Sequence, residues 1–184
     1  MRASSYPAAI TAALAFLLLP SASAAQAVTA QDALDAWDAF TTMVVESARK
    51  MPAEHFSYTP TEPLRNFAQQ INHTTRSNFG FAYAVGAGAP TIPLPDPSQP
   101  DPEDKESVMH YLEASFAHFR SGLAELSDAD LEAEVPWGPA NNQRSISRLK
   151  AILIITGHIQ SEHGKTMIYL REKGIAPAMA GGWR

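Results

Sequence analysis

Apolar residues recur at steps of three and four in four long, separate stretches of this 184-residue chain. That spacing follows the 3.6-residue turn of an α-helix. Each stretch must bury its stripe, so the chain is constrained to pack four amphipathic helices against one another. The first runs from about Thr29 to Met51, through Leu34, Trp37, Phe40, Val44 and Ala48. Thr29 followed by Asp32 reads as a capping box, and Pro52 lies just past the end. The second runs from about Glu62 to Val85, with Leu64, Phe67, Ile71, Thr74, Asn78 and Phe81 on its stripe and Gly86 as its stop. The third spans about Lys105 to Leu126, and Ser127 then caps a short turn through Leu131. The fourth spans about Ser145 to Lys173, with Gly174 after it.

The last helix carries two stripes. Ile146, Leu149, Ile152, Leu153, Thr156, Ile159, His163, Met167 and Leu170 form one. Ala151, Ile155, His158, Glu162 and Tyr169 form another, nearly opposite. A helix apolar on two faces is covered on both, so the polar members of the second stripe face protein or a pocket. Between the first two helices, Phe56 and Tyr58 sit in a segment that Pro60 and Pro63 keep extended, with its aromatics packed on the bundle. Ala87 to Pro102 holds six prolines and reads as an irregular crossover, long enough to join helices that are not neighbours. Pro136 to Pro139 reads as a turn around a buried or half-buried Trp137. The expected architecture is all-α: a four-helix bundle with a long Pro-rich crossover between helices 2 and 3.

The front of the chain reads as an address. Arg2 precedes an uncharged apolar run from Ala8 to Leu19, Pro20 breaks it, and Ala22-Ser23-Ala24 offers a small-residue cleavage site. This is the pattern of a secretory signal peptide, too short for a membrane span of about 20 residues. Residues 1–24 are expected to be removed after Ala24, with Ala25-Gln26-Ala27 as a second possible site, leaving one periplasmic or secreted domain over 25–184 with no membrane span. The tail from Ala178 to Arg184 is expected to fray, given Gly181 and Gly182.

Composition narrows the chemistry. There is no cysteine, which excludes disulfides, thiolate-held zinc and a thiol nucleophile. The formal net charge is −5 and no basic block stands out, so a nucleic-acid partner is not expected. No Gly-rich phosphate loop and no Gly-x-Ser-x-Gly elbow is present. Glu103, Asp104 and Glu106 suit the N-terminus of the third helix. The sequon at Asn72-His73-Thr74 falls inside a helix and is discounted.

What remains is His158, Glu162 and His163. His158 and Glu162 are four apart and share a helix face, while His163 belongs to the main stripe and reads as a core histidine with a hydrogen bond. Imidazole and carboxylate suit Zn²⁺, Ni²⁺, Fe²⁺ or Mn²⁺, though such a pair also occurs as a plain surface contact. His73 lies half a turn from Leu64, on the polar side of its helix, facing solvent or a cleft. His55, His110 and His118 are expected to be exposed.

Three stretches resemble the DinB-like superfamily of DinB/YfiT-like metalloenzymes. They are Met51 to Thr61, Arg65 to His73, and His158 to Pro177 with Gly164, Tyr169-Leu170-Arg171 and Gly174-Ile175-Ala176-Pro177. The resemblance implies a four-helix bundle with a long crossover. It also implies a divalent metal held by a His of the second helix and a His-x3-His pair of the last. Carried over, the ligands are His73, His158 and position 162. Position 162 is Glu here, with His163 next to it as the alternate third ligand. The implied function is metal-dependent hydrolysis or group transfer on an unidentified small molecule. The alternative is a non-catalytic bundle with a degenerate metal site that binds a small molecule or a partner protein. A homodimer through an apolar face is a third expectation, with Trp37, Trp137 and Trp183 as candidates.

Overall fold

The computed structural model describes residues 27–96 and 98–179. The expected leader over 1–24, with the cleavage expected after Ala24, lies outside the described residues. So do Gly181, Gly182 and Trp183. The described chain is mostly helical. Helix α1 spans Ala30–Lys50 and opens on the expected box, the Thr29 side chain accepting from Asp32 N–H while Asp32 accepts from Thr29 N–H. Helix α2 spans Phe67–Phe81 and continues as one 3₁₀ turn over Ala82–Val85. Gly86 stops it at φ 72°, a left-handed conformation that glycine adopts without penalty. Helix α3 spans Lys105–Ala124, the short α4 spans Asp128–Leu131, and α5 spans Arg148–Glu172. Strands β1 (Glu134–Trp137) and β2 (Arg144–Ser147) pair antiparallel, Val135 opposite Ile146.

Three expectations are corrected. First, α2 begins at Phe67 rather than Glu62, because Asn66 and Gln69 form a capping box there and Thr61 to Leu64 close a turn ahead of it. Leu64 therefore leaves the stripe and is 51% exposed. Second, the segment around Trp137 is a hairpin, so the chain is not wholly α and α5 begins at Arg148, capped by Ser147. Each strand buries one residue, Val135 and Ile146, too few to print an alternating pattern in sequence. Third, the segment before α2 is turned rather than extended. The crossover, long enough to join distant helices, joins neighbours. Asp101, Pro102 and Glu103 bond to Arg76, Asn72 and Asn66 in turn, so the chain runs back along α2 before α3 starts.

That return makes α2 and α3 parallel, with Gly122 near the end of α3 against Val85 and Ala87. Helices α1 and α5 form the other parallel pair, joined by Ser47 to His163 and Lys50 to Ala176. Around the molecule the order is α1, α3, α2, α5, each packing on the next and α5 closing on α1. The interior holds Trp37 stacked on Phe119 at 4.1 Å between ring centroids, and Phe56 and Tyr169 edge-on to Phe67. Trp37 is 2% exposed and so cannot meet a partner, while Trp137 stacks on Phe81. Phe56 is buried and Tyr58 half-buried against the core, as expected, but the segment that carries them is turned rather than extended, with a 3₁₀ turn over Ala53–His55. Among the described residues no helix is long and apolar enough to cross a membrane.

Candidate metal centre

Helices α2 and α5 run antiparallel, and one face of each looks at the other. On α2 that face carries Gln70, His73 and Ser77, spaced three and four apart; on α5 it carries His158, Glu162 and Lys165. His73, His158 and Glu162 each offer one donor atom, all within 4.8 Å of one another. Glu162 Oε1 lies 3.9 Å from both His73 Nε2 and His158 Nδ1. The two rings are 5.6 Å apart and nearly perpendicular. Donors on one ion at about 2.1 Å each stand roughly 3.4 Å apart at a tetrahedral angle. Each imidazole therefore stands about half an ångström too far from the carboxylate, and no donor pair is open by more than about 1.4 Å relative to a closed set.

The donors are held from behind. His158 Nε2 meets Ser77 Oγ at 3.2 Å, which orients the ring and leaves Nδ1 toward the carboxylate. Gln70 Nε2 donates to Glu162 Oε2 at 2.5 Å, and Lys165 Nζ donates to Oε1 at 2.6 Å. Such outer contacts fix ligand orientation in metal sites. The Glu162 side chain is 3% exposed. Burial pushes its pKa up, but hydrogen bonds from Lys165 and Gln70 and the charge of Lys165 outweigh this, holding it below the ordinary carboxylate range. Burial, with help from the Arg65 charge, pushes His73 below its ordinary value. At neutral pH the centre thus offers an unprotonated imidazole beside an ionised carboxylate. Two imidazoles and one carboxylate form a known three-ligand set for zinc with a position left open, so the residues fit a divalent ion.

His73, placed by spacing on the polar side of its helix, is half-buried and faces α5. The alternate ligand His163 points away, toward α1. It is buried, and its Nε2 meets Ser47 Oγ at 3.0 Å, the role its stripe predicted. Ile155 and Tyr169 are buried beside the site, while Ile154 is exposed. His118, expected on the surface, is buried against the Phe79 ring; His55 is half-buried and His110 exposed. Gln70, Ser77 and Lys165 were not singled out in sequence, yet each sits three or four residues from a ligand candidate on the same face.

Three solved structures share the fold. A DinB-like protein from Bacillus cereus superposes with a TM-score of 0.67 at 13% identity, over 82% of this chain and 97% of that one. A DinB-like protein from Bacillus subtilis gives 0.61 at 16% identity, over 80% and 95%. A conserved protein from Enterococcus faecalis gives 0.56 at 15% identity, over 80% and 97%. No curated protein matches the chain. The family model described as the DinB superfamily matches residues 21–166, and the chain belongs to that superfamily.

Proposed function

We propose that this chain is an exported metalloprotein on a DinB-type four-helix bundle, performing metal-dependent hydrolysis or group transfer on a small molecule. His73, His158 and Glu162 hold the divalent ion. The observation that carries this reading is the convergence of two imidazoles from different helices on one buried, ionised carboxylate. A bound divalent ion supplies Lewis-acid polarisation and a lowered pKa for water at the open position. The chain does the rest: Ser77 orients His158, Gln70 holds Oε2 so that Oε1 faces the rings, and burial keeps His73 unprotonated. The export reading rests on the Arg2 to Ala24 pattern, and N-terminal sequencing of protein recovered from the periplasm tests it.

A second reading draws on one contact. Lys165 Nζ already places a positive charge on Oε1. In a non-catalytic bundle this ion pair alone would satisfy Glu162, and the histidines would be remnants of a lost site. Elemental mass spectrometry of the mature chain, purified without chelator or His tag, separates the two. Near-stoichiometric metal that is lost in His158→Ala supports the metalloprotein. Protein that stays empty and gains no heat stability on adding Zn²⁺, Ni²⁺, Mn²⁺ or Fe²⁺ refutes it.

A further inference from the structure

Beside the metal centre lies a cavity of about 500 Å³, between the turn holding Pro60 to Leu64 and the C-terminal half of α5. Its volume falls in the ordinary range of small-molecule sites. Gln70 and Lys165, the two residues that hold Glu162, form part of its wall, so the cavity abuts the carboxylate. Leu64 and Ile168 form another part, and these aliphatic side chains are 51% and 54% exposed. Arg65 completes it. Its carbonyl accepts from Tyr169 Oη at 2.7 Å, which fixes the residue at the cavity edge. Among the described residues its guanidinium has no ion-pair partner, in a chain whose net charge is −5.

The charges favour one kind of occupant. Lys165 is balanced by Glu162, which leaves Arg65 as the one uncompensated charge of the cavity wall. A single negative charge matches it. A dianion would carry a second charge toward the Glu162 carboxylate. A guanidinium fork fits the two oxygens of a carboxylate, and the Lys165 ammonium has N–H groups beyond the one used on Oε1. The aliphatic wall then calls for an apolar chain behind the head.

We propose that this cavity binds an aliphatic carboxylate, its head on Arg65 and Lys165 and its chain against Leu64 and Ile168. The inference names the substrate class of the centre and, for any catalytic meaning, rests on the metal reading; binding itself does not. Lys165 lines the cavity and donates to Glu162 Oε1, so a head group on Lys165 lies beside the candidate metal ligands.

Titration calorimetry with sodium octanoate tests this, run on chelator-treated and on zinc-loaded protein, with zinc content measured on the same samples. The expected result is one octanoate per chain, weakened about tenfold in Arg65→Gln, the loss of one charged hydrogen-bonding partner. Butyrate should bind about tenfold more weakly than octanoate, as four half-covered methylenes require. Arg65 is exposed, so Arg65→Gln keeps the fold, which circular dichroism checks. Equal binding by Arg65→Gln overturns the proposal. So does inorganic phosphate or acetate binding as tightly as octanoate, or no octanoate binding in either state. Octanoate binding by protein that takes no zinc keeps this inference and refutes the metal reading, and zinc uptake without octanoate binding does the reverse.

Discussion

The contact between Lys165 and Glu162 makes a prediction with a counter-intuitive sign. Lys165 Nζ donates to the same oxygen, Oε1, that lies 3.9 Å from both histidines. An ion seated among these donors must share or displace that bond. A hydrogen bond between charged partners contributes about 1.5–3 kcal/mol. The Lys165 side chain is 50% exposed, and such pairs retain about 1 kcal/mol or less after solvent screening. Lys165→Met keeps the aliphatic stem and removes the charge, so zinc should bind about fivefold more tightly. Gln70 still holds Oε2, so the variant should lose no more than about 1 kcal/mol of stability. The assay is a competition titration with a zinc-binding dye at pH 7.5, on wild type, Lys165→Met and Lys165→Arg. The arginine variant keeps the charge and should stay near wild type. Unchanged or weaker zinc binding by Lys165→Met, or equal tightening by both variants, would refute the competition argument.

Further outcomes follow from the packing. Burial holds the His163 pKa below its ordinary 6.5, so the unfolded chain binds the more protons and stability falls as pH drops below about 6.5. In chelator-treated protein, the urea midpoint should fall more between pH 7.5 and 5.5 for wild type than for His163→Gln; equal falls would exclude His163 as the cause. A Cβ on Gly122 would lie 2.8 Å from Val85 Cγ2 and 2.9 Å from the Val85 carbonyl oxygen. Overpacking of about 1–3 kcal/mol then exceeds the helix-propensity gain of about 1 kcal/mol, so Gly122→Ala should lower Tm by about 3 °C. A Cβ on Gly164 meets nothing within 4 Å, and Gly164→Ala should raise Tm by a similar amount. Calorimetric melting of both variants checks the pair of signs.

What sequence could and could not reveal follows range of interaction. The four long helices were legible because each periodic stripe is local, as were the Thr29 cap and the stop at Gly86. His163 was legible as a core histidine from its stripe alone, though its partner Ser47 was not. The start of α2 was missed because two overlapping signals compete there, and the Asn66–Gln69 box prevails over the apolar Leu64. The hairpin was missed because two buried residues carry no period. His158 and Glu162 stood out through their spacing on one helix. His73 did not, because its meaning depends on which helix lies opposite, and only the resemblance supplied that. Lys165 and Ser77 were legible in principle, as face neighbours of residues already suspected.

The parallel pairing of α2 with α3 has a kinetic consequence. The crossover leads the chain back along α2, so α2 and α3 can associate early, within one stretch of sequence. The face toward α5 has no such shortcut. Its hydrogen bonds from Gln70 to Glu162 and from Ser77 to His158 span 92 and 81 residues. Loop-closure entropy delays contacts of this separation until much of the chain is in place. The candidate centre is therefore expected to assemble only once α5 docks, late in folding, and to come apart when α5 lifts away. A ligand there would act chiefly as a brake on unfolding, with little effect on the rate at which the chain folds.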